Sequence, residues 1–381
     1  DRHFGITRPQ GRAGNSRNGL AVPGSPIQPM GDLMKLRRRA VTGLAIAVAV
    51  LVPAAGTATA AAAATYTPLP AHVYAPYYET YLAPNTPSIT ATAQASGAKY
   101  FTLAFLQSTG KNSCALDWNG NSAQPLNYYA SDIASLRAMG GDVIPSFGGY
   151  SADHTGTEIA DSCKNASQIA ADYEQVITTL GVTRLDMDVE SSSLNNTAGI
   201  GRRNQAIAMT EQWATANGIP LQIQYTLPVE QYGLDPNGEA VLQSAAANDA
   251  TVTSVDIMVF DYYIAKEGVV QMGQAAINAA TNTHTQLQSI FPALTPAQLW
   301  NMEAMTMLPG IDDLRKKTEV TYEPDATTML NFAQSNNMNL LSIWAIQRDN
   351  GGCPGTVDSN TCSGITQDTW DFSHILEPFT G

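Results

Sequence analysis

From residue 71 onward, short runs rich in aliphatic, β-branched and aromatic residues alternate with longer stretches of helical period. The runs that predict strands are His72–Tyr77, Tyr100–Leu106, Asp142–Phe147, Arg184–Glu190, Leu221–Leu227, Val255–Tyr262, Leu299–Met305 and Asn339–Trp344. Most are bounded by Gly, Asn or Pro. Ser167–Leu180 reads as a helix, because Ile169, Tyr173, Val176 and Leu180 fall near one face. Arg202–Asn217 and Gln271–Ile290 are Ala- and Gln-rich and helix-prone, and Asp325–Gln334 carries Met329, Leu330 and Ala333. Gly181 and Gly218-Ile219-Pro220 supply helix stops before the next strand. Such alternation implies a parallel sheet. Eight units in about 310 residues fit an α/β fold of the (β/α)8 or TIM-barrel type, in a single domain. A doubly wound open sheet is the alternative. It would carry a Gly-rich phosphate loop after its first strand, where this chain has Ala75-Pro76-Tyr77-Tyr78. In a barrel the functional residues sit at the C-terminal ends of the strands.

The N-terminal part has a different pattern. Met34 opens a basic segment, Lys35-Leu36-Arg37-Arg38-Arg39. An apolar run from Ala40 to Val52 follows, and small residues end in Ala58-Thr59-Ala60. This is the form of a secretory signal peptide. The expected organisation is a non-native or untranslated upstream segment over 1–33, a signal peptide over 34–60 and the barrel over 61–381. The whole sequence has 381 residues and net charge −13; beyond Ala60 it carries 12 basic and 31 acidic residues, a net of −19. That charge disfavours nucleic acid and other polyanions as partners. The expectation is an extracellular, monomeric protein with no membrane attachment in its mature form.

Cys114, Cys163, Cys353 and Cys362 form no C-x-x-C pair. An even count in an exported chain reads as disulfides, with three possible connectivities. Cys353–Cys362 is the natural local pair, across a loop of Gly, Pro, Ser and Asn, which leaves Cys114–Cys163. The five histidines form no H-E-x-x-H or other close pair, so no metal is expected. There is no G-x-S-x-G elbow and no G-x-x-x-x-G-K-[ST] loop, and no cofactor is expected.

The segment with the strongest chemical signal is Thr183-Arg184-Leu185-Asp186-Met187-Asp188-Val189-Glu190. Alternation along a strand turns Leu185, Met187 and Val189 to one side and Asp186, Asp188 and Glu190 to the other. Same-face neighbours lie about 6.5–7 Å apart. Inside a barrel, such carboxylates repel one another and resist desolvation, so at least one holds a proton near neutral pH. A carboxylic acid in that state can act as a general acid. A solvated acidic edge strand is the plainer alternative, but this strand is the fourth of eight and flanked by apolar runs. A calcium loop fits poorly, because its sixth and twelfth positions from Asp186 are Ser191 and Thr197 rather than Gly and Glu.

Asp186-x-Asp188-x-Glu190 resembles the D-x-x-D-x-D-x-E signature of glycoside hydrolase family 18 chitinases, of bacterial secreted type. Ser146-Phe147-Gly148-Gly149 resembles the family's S-x-G-G motif on strand three. Met258-Val259-Phe260-Asp261-Tyr262 resembles M-x-Y-D on strand six, and Trp344 ends strand eight, where the family floors its cleavage subsite with tryptophan. The resemblance spans roughly residues 70–381. It implies a secreted hydrolase of β-1,4 bonds between N-acetylglucosamine units, with chitin or its oligosaccharides as partner. Glu190 would be the acid, Asp188 would orient the substrate's acetamide, and Asp186 would share a proton with Asp188. Asp261 and Tyr262 would hold the sugar. Aromatics near strand ends, Tyr77, Tyr78, Phe105, Tyr150, Tyr225, Tyr262, Tyr263 and Trp344, are candidate sugar platforms; Gly148 would keep the groove floor low.

Two departures stand out. The signature's first Asp is Thr183, and the Tyr of M-x-Y-D is Phe260, which has no hydroxyl for the acetamido oxygen. Tyr262 or Tyr225 would have to supply it. Deep-groove family members insert a small α+β domain after strand seven, and the spacing from Met305 to Asp325 leaves no room for one. A shallow groove with endo-type cleavage follows. An endo-β-N-acetylglucosaminidase, a lysozyme-like glycosidase, or a non-catalytic chitin-binding lectin on the same barrel are the alternative functions.

Overall fold

The computed structural model describes residues 66–83, 85–262, 271–313 and 318–381. The expected leader, the segment before it and Tyr263 lie outside the described residues. Eight parallel strands form the centre. They are β1 (Val73–Tyr74, resumed at Tyr77–Glu79), β2 (Tyr100–Ser108), β3 (Asp142–Gly148), β4 (Arg184–Asp188), β5 (Gln222–Glu230), β6 (Ser254–Met258), β7 (Glu303–Met307) and β8 (Leu340–Ile343). One main helix follows each strand: α1 (Ile89–Ser96), α2 (Ala130–Ala138), α3 (Ala166–Leu180), α4 (Thr197–Ala216), α5 (Pro236–Ala247), α6 (Met272–Ile290), α7 (Glu323–Asn336) and α8 (Asp371–Leu376).

The first strand closes the sheet. Val73 and Tyr74 pair with Leu340 and Leu341 of β8, while Tyr77, Tyr78 and Glu79 pair with Thr102, Leu103 and Ala104 of β2. Pro76 lies between the two halves and has no N–H to give to a ladder, so the strand changes partner there. The other neighbours follow in sequence order from β2 to β8. This is the (β/α)8 barrel the alternation predicts.

Helix ends explain why the connections are short. Asn165 caps α3 by accepting from the amides of Ser167 and Gln168, and Gly181 ends it at φ +66°. The buried face of α3 carries Ile169, Tyr173, Val176, Ile177 and Leu180. It packs on the outer face of the barrel, where Phe147 meets Tyr173 edge-on at 5.0 Å. Each such fully buried aliphatic side chain contributes roughly 1.5–3 kcal/mol. Leu185, Met187 and Val189 belong to the same outer core. A smaller apolar cluster of Val73, Ala75, Ile144, Ala304 and Leu340 fills the bottom of the barrel.

Two of the expected strands are corrected. Leu299–Met302 is helical, part of Pro296–Met302, and β7 starts only at Glu303. Thr295 and Gln298 form a reciprocal capping box and Pro296 occupies the first turn, so the helix start outweighs the local apolar run. β6 ends at Met258 rather than Tyr262, although the Val259 amide still reaches the Thr306 carbonyl at 2.9 Å. Between β7 and α7 the described residues hold only a hairpin of Gly310–Ile311 and Val320–Thr321. Cys114–Cys163 and Cys353–Cys362 are bonded, with Cα separations of 4.6 and 6.0 Å. No helix among the described residues is long and apolar enough to cross a membrane.

Candidate active site

The inner face of the upper barrel is polar. Asp186 and Asp188 face inward from β4, Gln224 and Thr226 from β5, Asp256 from β6, and all are buried. Burial of so many polar groups is costly unless each finds partners. Asp186 is fully engaged. Its Oδ2 accepts from the Ser146 hydroxyl at 2.6 Å and the Tyr77 hydroxyl at 2.9 Å, and its Oδ1 from Thr226 at 2.8 Å. Burial raises its pKa, and these three hydroxyls oppose the rise. They come from three other strands, so Asp186 also ties β1, β3 and β5 to β4.

Asp188 is in the opposite condition. It is buried, and its Oδ1 has no hydrogen-bond partner. Its pKa is raised well above the usual carboxylate range, first by burial and then by Glu190, Asp186, Asp153 and Asp256. Glu190 is partly exposed at the mouth. Burial pushes its carboxyl up to about 7, against an opposing hydrogen bond from the Tyr150 backbone. Asp256, bonded by Thr306 at 2.6 Å, is also raised well above its usual range, mainly by burial. The expected proton sharing between Asp186 and Asp188 has a different form here: both Asp186 oxygens are taken by hydroxyls, so the two aspartates couple through their charges.

Three aromatic side chains close the other side of the mouth. Trp344 stacks on Phe105, with centroids 5.5 Å apart and planes at 20°, and meets Tyr77 edge-on at 5.3 Å. Trp344 remains half-buried, leaving part of its surface available. Tyr77, which also bonds Asp186, links Phe105 and Trp344 to the acids.

Gly148 and Gly149 have a steric reason. Gly148 has φ +96°, and a Cβ there would lie 2.1 Å from the Asp188 carbonyl oxygen. Gly149 has φ +79°, and its Cβ would lie 2.5 Å from the Phe105 ring. Only glycine lets β3 approach β4 and the aromatic floor this closely. Gly148→Ala should therefore destabilise by at least about 1–2 kcal/mol from the backbone conformation alone, with further loss from the clash. A variant matching the parent in melting temperature and turnover would contradict this packing.

Tyr225 is not part of the site. It pairs with Met187 and Val255 on the outer face, and its hydroxyl donates to Asn204 of α4. The inward neighbour is Thr226. Asp261 and Tyr262 lie beyond the end of β6. The Asp261 amide donates to Asp312 Oδ2 at 2.8 Å and the Tyr262 amide to Glu319 Oε2 at 3.1 Å, so the β7 hairpin fixes both. Burial raises the Tyr262 hydroxyl, with Glu319, Glu230 and Asp312 adding to it. Phe260 is buried. The sequence reading missed Thr226, Asp256 and Asp153. Period-two alternation through Gln224-Tyr225-Thr226 and Ser254-Val255-Asp256 was signal enough for the first two.

No protein-family model matches the sequence. The chain is 35% identical over 323 residues to a probable bifunctional chitinase/lysozyme of Escherichia coli, covering 82% of this chain and 35% of that protein. It is 34% identical over 289 residues to endochitinase 11 of Metarhizium anisopliae, covering 74% and 53%. The chain therefore spans about a third to a half of the curated relatives it matches. The catalytic domain of a hyperthermophilic chitinase from Pyrococcus furiosus superposes with a TM-score of 0.71 at 27% identity, over 82% of this chain and 96% of that one. Similarity along nearly the whole barrel accompanies the acidic row on β4, the glycine pair on β3 and the tryptophan after β8, and the chain is similar to chitinases in both sequence and fold.

Proposed function

We propose that the protein is a secreted chitinase that cleaves β-1,4 bonds between N-acetylglucosamine units with retention of configuration. The observation that carries this is the unpartnered Asp188 Oδ1 beside a carboxyl held near neutrality in its titration. A buried carboxylate oxygen without a donor is costly. An acetamido N–H of a sugar lying on Trp344 supplies that donor. Glu190, protonated on the acid side of about 7, gives its proton to the leaving oxygen. The acetamido oxygen attacks its own anomeric carbon, as in the substrate-assisted exceptions to the two-carboxylate scheme. Asp188 holds the acetamide; the acetamido N–H and the positive charge of the resulting oxazolinium ion favour its ionised form, which then balances that charge. Asp186, fixed by its hydroxyls, adds negative charge below it. Asp261 and Tyr262, held by the β7 hairpin, flank the sugar. The short connection after β7 favours an open groove and endo-type cleavage. The leader-like N-terminal segment and the two disulfides support an extracellular location.

The direct test measures turnover and binding on N-acetylglucosamine oligomers, peptidoglycan and N-glycans in parallel. Cleavage of the first alone supports the proposal. Binding without cleavage would favour a lectin, and preference for another substrate would favour the lysozyme-like or N-glycan alternatives.

The carboxyls also set a pH dependence. Asp153, Asp188, Asp256 and Glu303 are raised well above the usual range by burial, and Glu190 is raised to about 7. Each binds its proton more tightly in the folded state than in the unfolded one. The unfolded state therefore holds fewer protons above about pH 4.5, and stability falls as pH rises through the folded pKa values. The melting temperature should be higher at about pH 5.5 than at about pH 8, and turnover should decline above about pH 7. A melting temperature that climbs across this interval would contradict the assignment.

A further inference from the structure

Glu190 leaves the backbone where the β4 ladder runs out. The Val189 amide still reaches the Thr226 carbonyl of β5 at 3.0 Å. On the β3 side the last bond runs from the Gly149 amide to the Asp188 carbonyl at 3.2 Å, after which the chain turns into the short helix Tyr150–Thr155. That turn removes β3 before it can offer a carbonyl to the next amide of β4. The Glu190 N–H donates instead to Asp153 Oδ2, at 2.5 Å.

Asp153 is itself fixed. It is buried, and its amide donates to the Gly149 carbonyl at 3.0 Å. Its Oδ1 is buried without a partner and faces the space that Gly148 leaves open; a Cβ there would come within 3.2 Å of it. Glu158 and Arg203, an ion pair of 2.9 Å, stand behind Asp153, and Glu190 and Asp188 in front. A buried carboxyl among carboxyls is a costly way to satisfy one amide when a serine or asparagine could do so. Burial and Glu158 raise its pKa, while the Glu190 N–H and Arg203 favour the ionised form; once ionised, the carboxylate makes a stronger, charge-assisted bond than either could.

We propose that Asp153 is a positioning residue for the catalytic acid. Its bond locks the Glu190 backbone and so fixes the direction in which that carboxyl meets the leaving oxygen. The inference rests on the chitinase reading. It predicts a loss in the chemical step with substrate binding preserved, because Asp153 touches Glu190 and not the sugar.

The test compares wild type, Asp153→Asn and Asp153→Ala on a chitin pentamer, with melting curves to confirm folding. Asn keeps an acceptor of the same shape without the charge, and should lower kcat by about three- to tenfold on the alkaline side of the activity profile, where Asp153 ionises. Ala removes the acceptor, and should lower kcat by about 10²-fold, the scale of an ångström-sized misplacement. KM should stay within about threefold in both. If the Ala protein does not fold, the Asn protein decides alone. Unchanged kcat in the Asn variant on that alkaline side, or losses confined to KM in any folded variant, overturn the proposal. A wild-type protein that leaves the pentamer intact would instead refute the chitinase reading, so the two failures are distinguishable.

Discussion

Glu190→Gln should lose turnover by about 10²–10⁴-fold or more, while the fold and oligosaccharide binding persist. Gln has nearly the shape of Glu and keeps an acceptor for the Tyr150 amide, but it has no carboxyl proton to give. The structure adds a second expectation. The Glu190 charge is the largest charge effect raising the Asp188 pKa, after burial. A neutral Gln removes that repulsion. The variant should therefore melt at or above the wild-type temperature at about pH 8, where the wild-type carboxyl is ionised. Loss of activity with equal or greater stability is the signature of a catalytic group rather than a structural one. Turnover within tenfold of wild type would move the acid elsewhere in the barrel.

Most of the barrel was legible because its strands obey a simple rule. Each needs an apolar outer face for the helices, and period two then determines what faces inward. The acidic row on β4 followed from that rule alone: Leu185, Met187 and Val189 pack outward and the acids turn in. On β5 the same rule turns Tyr225 outward and Thr226 inward. Tyr225 looks like a sugar platform by residue type, but it shares a face with Met187 and is bonded to α4. Thr226, a less conspicuous residue, holds Asp186. Leu299–Met302 shows a different competition, in which an apolar run too short to set a period yields to the capping signal of Thr295, Pro296 and Gln298. Asp153 had no local signal at all. Its role depends on a contact across 37 residues of sequence, made where β3 turns away from β4.

Hydrolysis should require an N-acetyl group on the sugar at the cleavage point. Fully deacetylated chitosan oligomers and cello-oligosaccharides should both be inert. A double displacement by a protein nucleophile needs two carboxyls flanking the scissile bond, about 5–5.5 Å apart across it. The carboxyls here do not flank anything. Asp186 and Asp188 follow one another on one face of β4, and Glu190 comes two residues later, just past the end of the strand. The first has both oxygens committed to Ser146, Tyr77 and Thr226. The second has an oxygen without a donor, suited to receive an N–H and buried beneath the mouth. An acetamide held there carries its own oxygen toward its own anomeric carbon, with the high effective concentration of an intramolecular group. Attack by that oxygen inverts the centre, and attack by water inverts it again. Time-resolved NMR of chitin-oligomer cleavage should show the β-anomer first. An initial α-anomer would mean direct displacement by water. Ready cleavage of glucosamine-only chains would mean a nucleophile from the protein, and neither is compatible with Asp188 acting as the acetamide's partner.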